Sequence, residues 1–285
     1  MLGSVNRRNF LLGASALGLA ACTSSLPASP VLGHVTVGAG PEAVVVLHEW
    51  LGDHTNYDAM VPYLSISRAQ YVFADLRGYG LSRAMSGSYT MEEAAGDVVA
   101  LMDSLGHARF HVVGHSMSGM IAQYLMAQYP DRIKSVIAIS PVPATGFKTD
   151  ATGMGKLRAV ITDDEAFRTA VTARTSNRYG TGWVDRKKAM ARKASPEAMQ
   201  GYLAMFTSTD FAARTVGLTI PVALLTGAQD IPFYRTAALE PQFQRAYPRL
   251  QVATIADAGH YAMLETPVLL AALIERAVFA EPLNR

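Results

Sequence analysis

The stretch from Phe110 to Leu125 leaves the fewest options for how this chain folds. Phe110, Val112 and Val113 form an apolar run that enters a cluster of small residues, Gly114-His115-Ser116-Met117-Ser118-Gly119. Apolar residues then recur at Met117, Met120, Ile121, Tyr124 and Leu125, the spacing of one helix face. The pattern predicts a strand, a sharp turn and a helix, with a serine at the apex. The first N–H groups of such a helix face any anion that forms beside the serine hydroxyl. Similar apolar runs flank this unit and predict strands at Val44 to His48, Tyr71 to Asp75, Phe110 to His115, Ser135 to Ser140, Val222 to Thr226 and Gln251 to Ile255, with a short edge strand near Val35 to Val37. Helical stretches alternate with them. Thr90-Met91-Glu92-Glu93 reads as a capping box that opens a helix ending at Gly106, and Thr266-Pro267 opens the last helix. Alternation of this kind predicts an α/β fold with a mostly parallel sheet and helices on both faces.

The serine unit resembles the nucleophile elbow of the α/β-hydrolase family, whose pattern is G-x-S-x-G. The last position here is Ser118, with Gly119 one residue late, so the turn closes with less room. Two further segments follow in the order that the family uses. Asp230 lies in Thr226-Gly227-Ala228-Gln229-Asp230-Ile231-Pro232, after the run Val222 to Leu225. His260 lies in Ala256-Asp257-Ala258-Gly259-His260. A serine hydroxyl is a weak nucleophile by itself. It needs an imidazole base, and the base needs a carboxylate that fixes its tautomer. The resemblance therefore implies a triad of Ser116, Asp230 and His260. Some relatives carry the acid after the strand that here ends at Ser140. No carboxylate stands there, which favours Asp230.

The resemblance extends upstream. Val44-Val45-Val46-Leu47-His48-Glu49-Trp50 looks like the strand and loop that supply an oxyanion donor, which assigns the two donor N–H groups to Trp50 and Met117. The family usually has glycine where Glu49 stands. Glu49 faces solvent or pairs with a nearby cation, or, as the alternative, it is a second acid–base group. Ala74-Asp75-Leu76-Arg77-Gly78-Tyr79-Gly80 resembles another landmark, in which Asp75 scaffolds the loop with Arg77. His115 is expected to pack beneath the turn and His48 to be hydrogen-bonded structurally. His34, His54, His107 and His111 have no partner at recognisable spacing.

Several classes of chemistry find no support. There is no H-E-x-x-H or paired-cysteine pattern, so no metal is expected. No phosphate loop is present, and Gly78-Tyr79-Gly80 lacks the third glycine of a dinucleotide fingerprint. No cofactor is expected. A serine nucleophile disfavours the family's dehalogenases and epoxide hydrolases, which attack with aspartate.

The N-terminus reads as a signal. Arg7-Arg8 precedes an uncharged, mostly apolar stretch from Phe10 to Ala21, too short to span a bilayer and suited to a signal-peptide core. Arg-Arg-Asn-Phe-Leu resembles a twin-arginine export signal. Leu19-Ala20-Ala21-Cys22 resembles the lipobox of bacterial lipoproteins, which implies cleavage before Cys22 and its lipidation. Cys22 is the one cysteine of the chain, so no disulfide can form within it. Residues 1–21 hold two arginines and no acid, and their removal takes the net charge from +2 to zero. A neutral chain gives no reason to expect nucleic acid as a partner. The expected partners are a small-molecule substrate and, through Cys22, a membrane on its extracytoplasmic side.

The expected organisation is a signal peptide at 1–21, a tether at 22–33, a hydrolase core at 34–141 and 216–285, and a helical cap at 142–215. The last interval has no convincing strand, and in the family it is where a cap is inserted over the site. Met154, Tyr179, Trp183, Met199, Tyr202, Met205 and Phe206 are candidates to line an apolar pocket or to pack between cap helices. The expected activity is a serine hydrolase that cleaves an ester, thioester or lactone of a small apolar substrate through an acyl-enzyme. The triad leaves open carbon–carbon bond hydrolysis, cofactor-free perhydrolysis, amide or peptide cleavage, and a slow-turnover small-molecule receptor of hydrolase fold.

Overall fold

The central strands of the sheet are buried along their whole length, and the loops at their carboxyl ends carry the candidate site residues. The structure, a computed structural model, describes residues 31–283. The expected leader, its arginines, Cys22 and most of the tether lie outside the described residues. Seven strands form one sheet: β1 (His34–Val37), β2 (Glu42–Leu47), β3 (Ala69–Ala74), β4 (Phe110–His115), β5 (Ile133–Ile139), β6 (Val222–Gly227) and β7 (Leu250–Ile255), in the spatial order β1-β3-β2-β4-β5-β6-β7. All neighbours run parallel except β1, which pairs antiparallel with β3 from His34 opposite Ala74 to Val37 opposite Tyr71. Every residue of β4 and β6 is buried, as strands covered on both faces require, whereas β1 and β7 at the edges are partly exposed. Each fully buried Val, Leu or Ile in those strands contributes roughly 1.5–3 kcal/mol relative to leaving it in water. Leu32 is itself buried and Gly33 N–H donates to Ser82 Oγ, so the last residues of the expected tether pack against the fold.

Helices cover both faces in the connections: α1 (Met91–Ser104), α2 (Met117–Gln128), then α3 (Ala151–Thr162), α4 (Asp164–Ala173), α5 (Thr181–Ala191) and α6 (Pro196–Ser208), followed by α7 (Thr236–Ala246), the short α8 (Ala262–Glu265) and α9 (Pro267–Val278). The capping box at α1 differs from expectation by one residue. Thr90 Oγ1 accepts from Glu93 N–H, but the Glu93 carboxylate reaches back to Tyr89 N–H rather than to Thr90. Helices α3 to α6 form an insert between β5 and β6, in which α3 packs on α4 and α6. The insert is joined to the loops at the carboxyl ends of the strands. Trp50 Nε1 donates to Met199 O at 2.8 Å, and Ser195 N–H donates to Gly78 O at 2.8 Å. Gly78 has φ +80°, and a Cβ there would lie 2.2 Å from Ala198 Cβ, so glycine is required for the insert to seat.

The loop after β3 is a correction to the expected pairing of Asp75 with Arg77. Asp75 is fully buried and accepts from His54 Nδ1 at 2.6 Å, His54 N–H at 2.8 Å and Leu81 N–H at 2.7 Å. Arg77 turns outward and grips Asp97 with Nε and Nη2. Both residues scaffold loops, but separate ones. The remaining histidines also have partners that their spacing hides: His34 with Leu32 O, His107 with Gln70, and His111 with Ser135 and Glu42.

Candidate active site

The turn between β4 and α2 sets the site. Ser116 is the N-cap residue of α2, with φ 54° and ψ −114°, a conformation that a non-glycine residue adopts only under constraint. The constraint comes from close backbone packing. Ser116 N–H donates to Ile139 O at 2.9 Å, and Ser116 O accepts from Val142 N–H at 2.9 Å and Gly119 N–H at 3.0 Å. A Cβ on Gly114 would fall 2.2 Å from Ser118 O, and one on Gly119 would fall 2.4 Å from Pro141 Cβ. These are the two positions at which the turn has no room. Ser118 fits because its hydroxyl turns inward and donates to His48 O. His48 is in turn held by Leu76 N–H on Nε2 at 3.1 Å and by Glu49 O on Nδ1 at 2.8 Å.

His260 stands opposite. Its Nδ1 lies 2.6 Å from Asp230 Oδ2, and Asp230 is fully buried, with Oδ1 accepting from Ile231 N–H at 2.7 Å. The His260 loop is fixed on three successive N–H groups. Gly259 and Tyr261 each donate to the Glu265 carboxylate at 2.8 Å, and His260 N–H donates to Arg174 O at 2.9 Å. Glu265 is buried on α8 and also takes Arg178 from the insert, which donates to Asp257 O at 2.7 Å as well. Burial pushes the Glu265 carboxyl above its usual range despite these donors.

Ser116 and His260 line one narrow pocket. Trp50, Leu51 and Met117 share it, together with Val142, Phe147, Leu157, Phe206, Arg174, Tyr234, Tyr261 and Glu49. Among the described residues, neither Trp50 N–H nor Met117 N–H donates to a protein acceptor. Tyr234 packs against His260 with ring centroids 4.4 Å apart and the planes tilted by 49°, and its hydroxyl is near Ser116. Burial, which Arg174 opposes, pushes that hydroxyl up to about 12, so it enters the pocket as a neutral donor. His115 packs behind His260 with centroids 4.8 Å apart, and neither of its ring nitrogens has a hydrogen-bond partner. Burial, reinforced by His260, pushes its pKa well below the usual value and keeps the ring neutral. Among the described residues no group of three or more His, Cys, Asp or Glu side chains could hold a metal ion.

Glu49 does not face solvent. It is buried, and its carboxylate receives Lys187 Nζ, Leu51 N–H and Asn56 Nδ2, the last at 3.2 Å. Lys187 lies on α5 and is also buried. It completes its shell with Leu51 O at 2.9 Å and Asn56 Oδ1 at 3.2 Å. Burial alone would raise the Glu49 pKa. Lys187, with the Leu51 amide, outweighs it and holds the carboxyl at about 2. Glu49 has no positive φ, so the loop passes this point without the left-handed geometry that would call for glycine.

Of the apolar insert residues expected near the site, Phe206 lines the pocket. Tyr202 packs against Tyr79 and Tyr89 instead, and Trp183 stacks on Tyr179 at 4.7 Å. Phe147, Leu157, Arg174, Lys187, Tyr234, Tyr261 and Glu265 were not foreseen. One of them left a legible trace: Lys187 sits at the i+3 position between Val184 and Ala191 on the buried stripe of α5, where a lone lysine implies a buried acid.

This arrangement of elbow, sheet and histidine loop defines a class, and sequence comparison places the chain in it. Residues 42–267 match the family described as alpha/beta hydrolase fold. The chain belongs to that family and is an enzyme, a hydrolase. It is 24% identical over 245 residues to 3-oxoadipate enol-lactonase 2 of Acinetobacter baylyi, covering 83% of this chain and 88% of that protein. It is 27% identical over 284 residues to epoxide hydrolase 3 of Siraitia grosvenorii, covering 81% and 90%. A thermophilic esterase from Thermogutta terrifontis superposes with a TM-score of 0.76 at 22% identity over 87% of this chain and 93% of that one, which shows the shared fold.

Proposed function

We propose that the enzyme is a serine hydrolase that cleaves an ester, thioester or lactone of a small, largely apolar molecule through an acyl-enzyme. The observation that carries this reading is the constrained Ser116 at the N-terminus of α2, sharing a pocket with a His260 whose far nitrogen is 2.6 Å from a buried Asp230. Ser116 Oγ attacks the carbonyl carbon while His260 Nε2 takes its proton. The resulting oxyanion is held by Trp50 N–H and Met117 N–H, both of them uncommitted, and the Met117 donor is reinforced by the α2 N-terminus. Collapse expels the alcohol or thiol, which takes the proton back from His260. Water then attacks the acyl carbon by the same steps in reverse order. Asp230 fixes the tautomer of His260 and stabilises its cation. The wall of aromatic and aliphatic side chains favours an apolar acyl group. Helices α3 to α6 act as the cap that excludes water.

A fluorophosphonate probe should label Ser116, and Ser116→Ala should abolish labelling and lower kcat on the order of 10⁴-fold or more. Labelling at Ser118 would overturn the assignment, as would full turnover by Ser116→Ala. The leader motif supports export through a twin-arginine-type signal and anchoring by lipidated Cys22 on the extracytoplasmic face of a membrane. No helix among the described residues is long and apolar enough to cross a bilayer. Wild type should then fractionate with membranes and Cys22→Ser should lose the acyl groups. Recovery of the protein with residues 1–21 intact would refute this localisation.

A further inference from the structure

The pocket wall carries two charged side chains besides the proposed triad's own, Glu49 and Arg174, and only the first has a direct counter-ion. Glu49 is neutralised by Lys187, which approaches it from behind the wall. Arg174 has no direct counter-ion, although Asp230 and Glu49 act on it at longer range. No carboxylate lies within ion-pair distance of its guanidinium among the described residues, and its one protein acceptor there is Ala170 O, 2.9 Å from Nη1. Other half-buried arginines of the insert behave differently: Arg168 reaches Asp185 at 3.0 Å and Arg192 reaches Asp164 at 3.1 Å. The position of Arg174 is also set firmly. It ends α4, its carbonyl accepts His260 N–H, and a Cβ on Gly259 would lie 2.3 Å from that carbonyl oxygen.

Tyr261 supplies a second, independent sign. It is fully buried, it lines the same pocket, and its hydroxyl has no hydrogen-bond partner. A buried unpaired hydroxyl is costly, and a ligand acceptor would offset that cost. Of the charges that act on this hydroxyl, Glu49 comes first and Arg174 second, and Tyr261 is the group that acts most on Arg174. A guanidinium with free N–H groups and a hydroxyl donor together match one ligand group, a carboxylate, which a planar guanidinium binds through two parallel hydrogen bonds. Access is built in. Arg174, Phe147 and Leu157 line both the inner pocket and an outer cleft along α3 and α4, so these residues stand where the two meet.

We propose that Arg174 and Tyr261 form a carboxylate-binding subsite beside Ser116, so that the preferred substrate is an ester, thioester or lactone with an otherwise apolar acyl part that ends in a carboxylate. This rests on the serine-hydrolase reading above and narrows it. Arg174 acts on specificity, seating the substrate by its charge. Its helix-end hydrogen bond to Ala170 O is a separate structural contact, so the test must read substrate charge.

The full-length enzyme is assayed with two p-nitrophenyl esters of matched chain length, neutral p-nitrophenyl valerate and the anionic mono-p-nitrophenyl glutarate. Wild type should have a KM for the anionic ester at least tenfold below that for the neutral one. Arg174→Gln should raise the anionic KM at least tenfold more than the neutral KM, Arg174→Lys should restore part of the preference, and Tyr261→Phe should weaken it severalfold. If Arg174→Gln does not fold, inhibition of wild type settles the matter: free glutarate should compete with the neutral ester far better than valeramide does. Hydrolysis of the neutral ester without preference for the anionic one, or equal losses on both esters in Arg174→Gln, would overturn the subsite and leave the hydrolase reading standing. Hydrolysis of neither ester, with no labelling of Ser116, would take down the hydrolase reading and the subsite with it.

Discussion

The loops after β2 and β6 each end a parallel strand, and each buries a carboxylate beside the same pocket. Glu49 and Asp230 are alike in burial, and each accepts a backbone N–H from close in sequence, Leu51 for one and Ile231 for the other. Their partners differ. Asp230 faces an imidazole, the base of the proposed mechanism, whereas Glu49 faces a lysine ammonium. In the proposed mechanism the first pair cycles between one charge and two, and the second never changes. A buried carboxylate thus acquires a chemical or a structural task from its partner, and its own depth decides little. The Glu49–Lys187 pair ties α5 of the insert to the loop that carries Trp50 N–H, so it holds the proposed oxyanion donor and the insert in register.

The contrast can be broken most visibly at Asp230. Asp230→Asn should lower kcat by on the order of 10⁴-fold with the fold retained, because the amide holds the imidazole in the wrong tautomer. A loss below tenfold in steady-state kinetics would remove Asp230 from the chemistry. The next effect falls on stability. Lys187→Met strands a buried carboxylate and should cost about 3–5 kcal/mol in urea unfolding, whereas the double substitution Glu49→Gln with Lys187→Met should recover most of that loss. Equal destabilisation in single and double variants would mean that the two residues are not coupled. The smallest effect is in acid. The folded-state pKa of Glu49 is held near 2, below its ordinary value of 4.5, so its contribution is complete above about pH 4.5 and is lost as the pH falls toward 2. Replacing Glu49 by Gln should flatten this part of the stability curve, and an unchanged curve would place the acid sensitivity elsewhere.

Much of the core was legible because its signals are local. The apolar runs gave six parallel strands to within two residues at either end, and Val35 to Val37 proved to be the antiparallel edge. The serine turn was readable for the same reason, since strand, small residues and helix follow one another without a gap. The deviations from the family pattern at Ser118 and Glu49 were visible as residues, and a cation partner for Glu49 was among the expectations, but which residues would accommodate them was not legible. Ser118 is accommodated by His48 O, and Glu49 by a lysine 138 positions away. The insert was the least readable part. Its helices present several aromatic residues of similar spacing, and nothing in the sequence tells Phe206, which reaches the pocket, from Tyr202, which packs against Tyr79. Arg174 and Glu265 were hidden because their significance lies in long-range partners, or in the lack of one.

The pH dependence of kcat/KM in the double variant Glu49→Gln with Lys187→Met tests the central claim most directly, because this variant removes both charges of the structural pair while leaving the Asp230–His260 pair intact. The account predicts a profile with the same limbs and midpoints as wild type, lowered at most uniformly. Loss of a limb, or a midpoint displaced by more than about one unit, would show that Glu49 takes part in proton transfer and would contradict the division of labour between the two carboxylates.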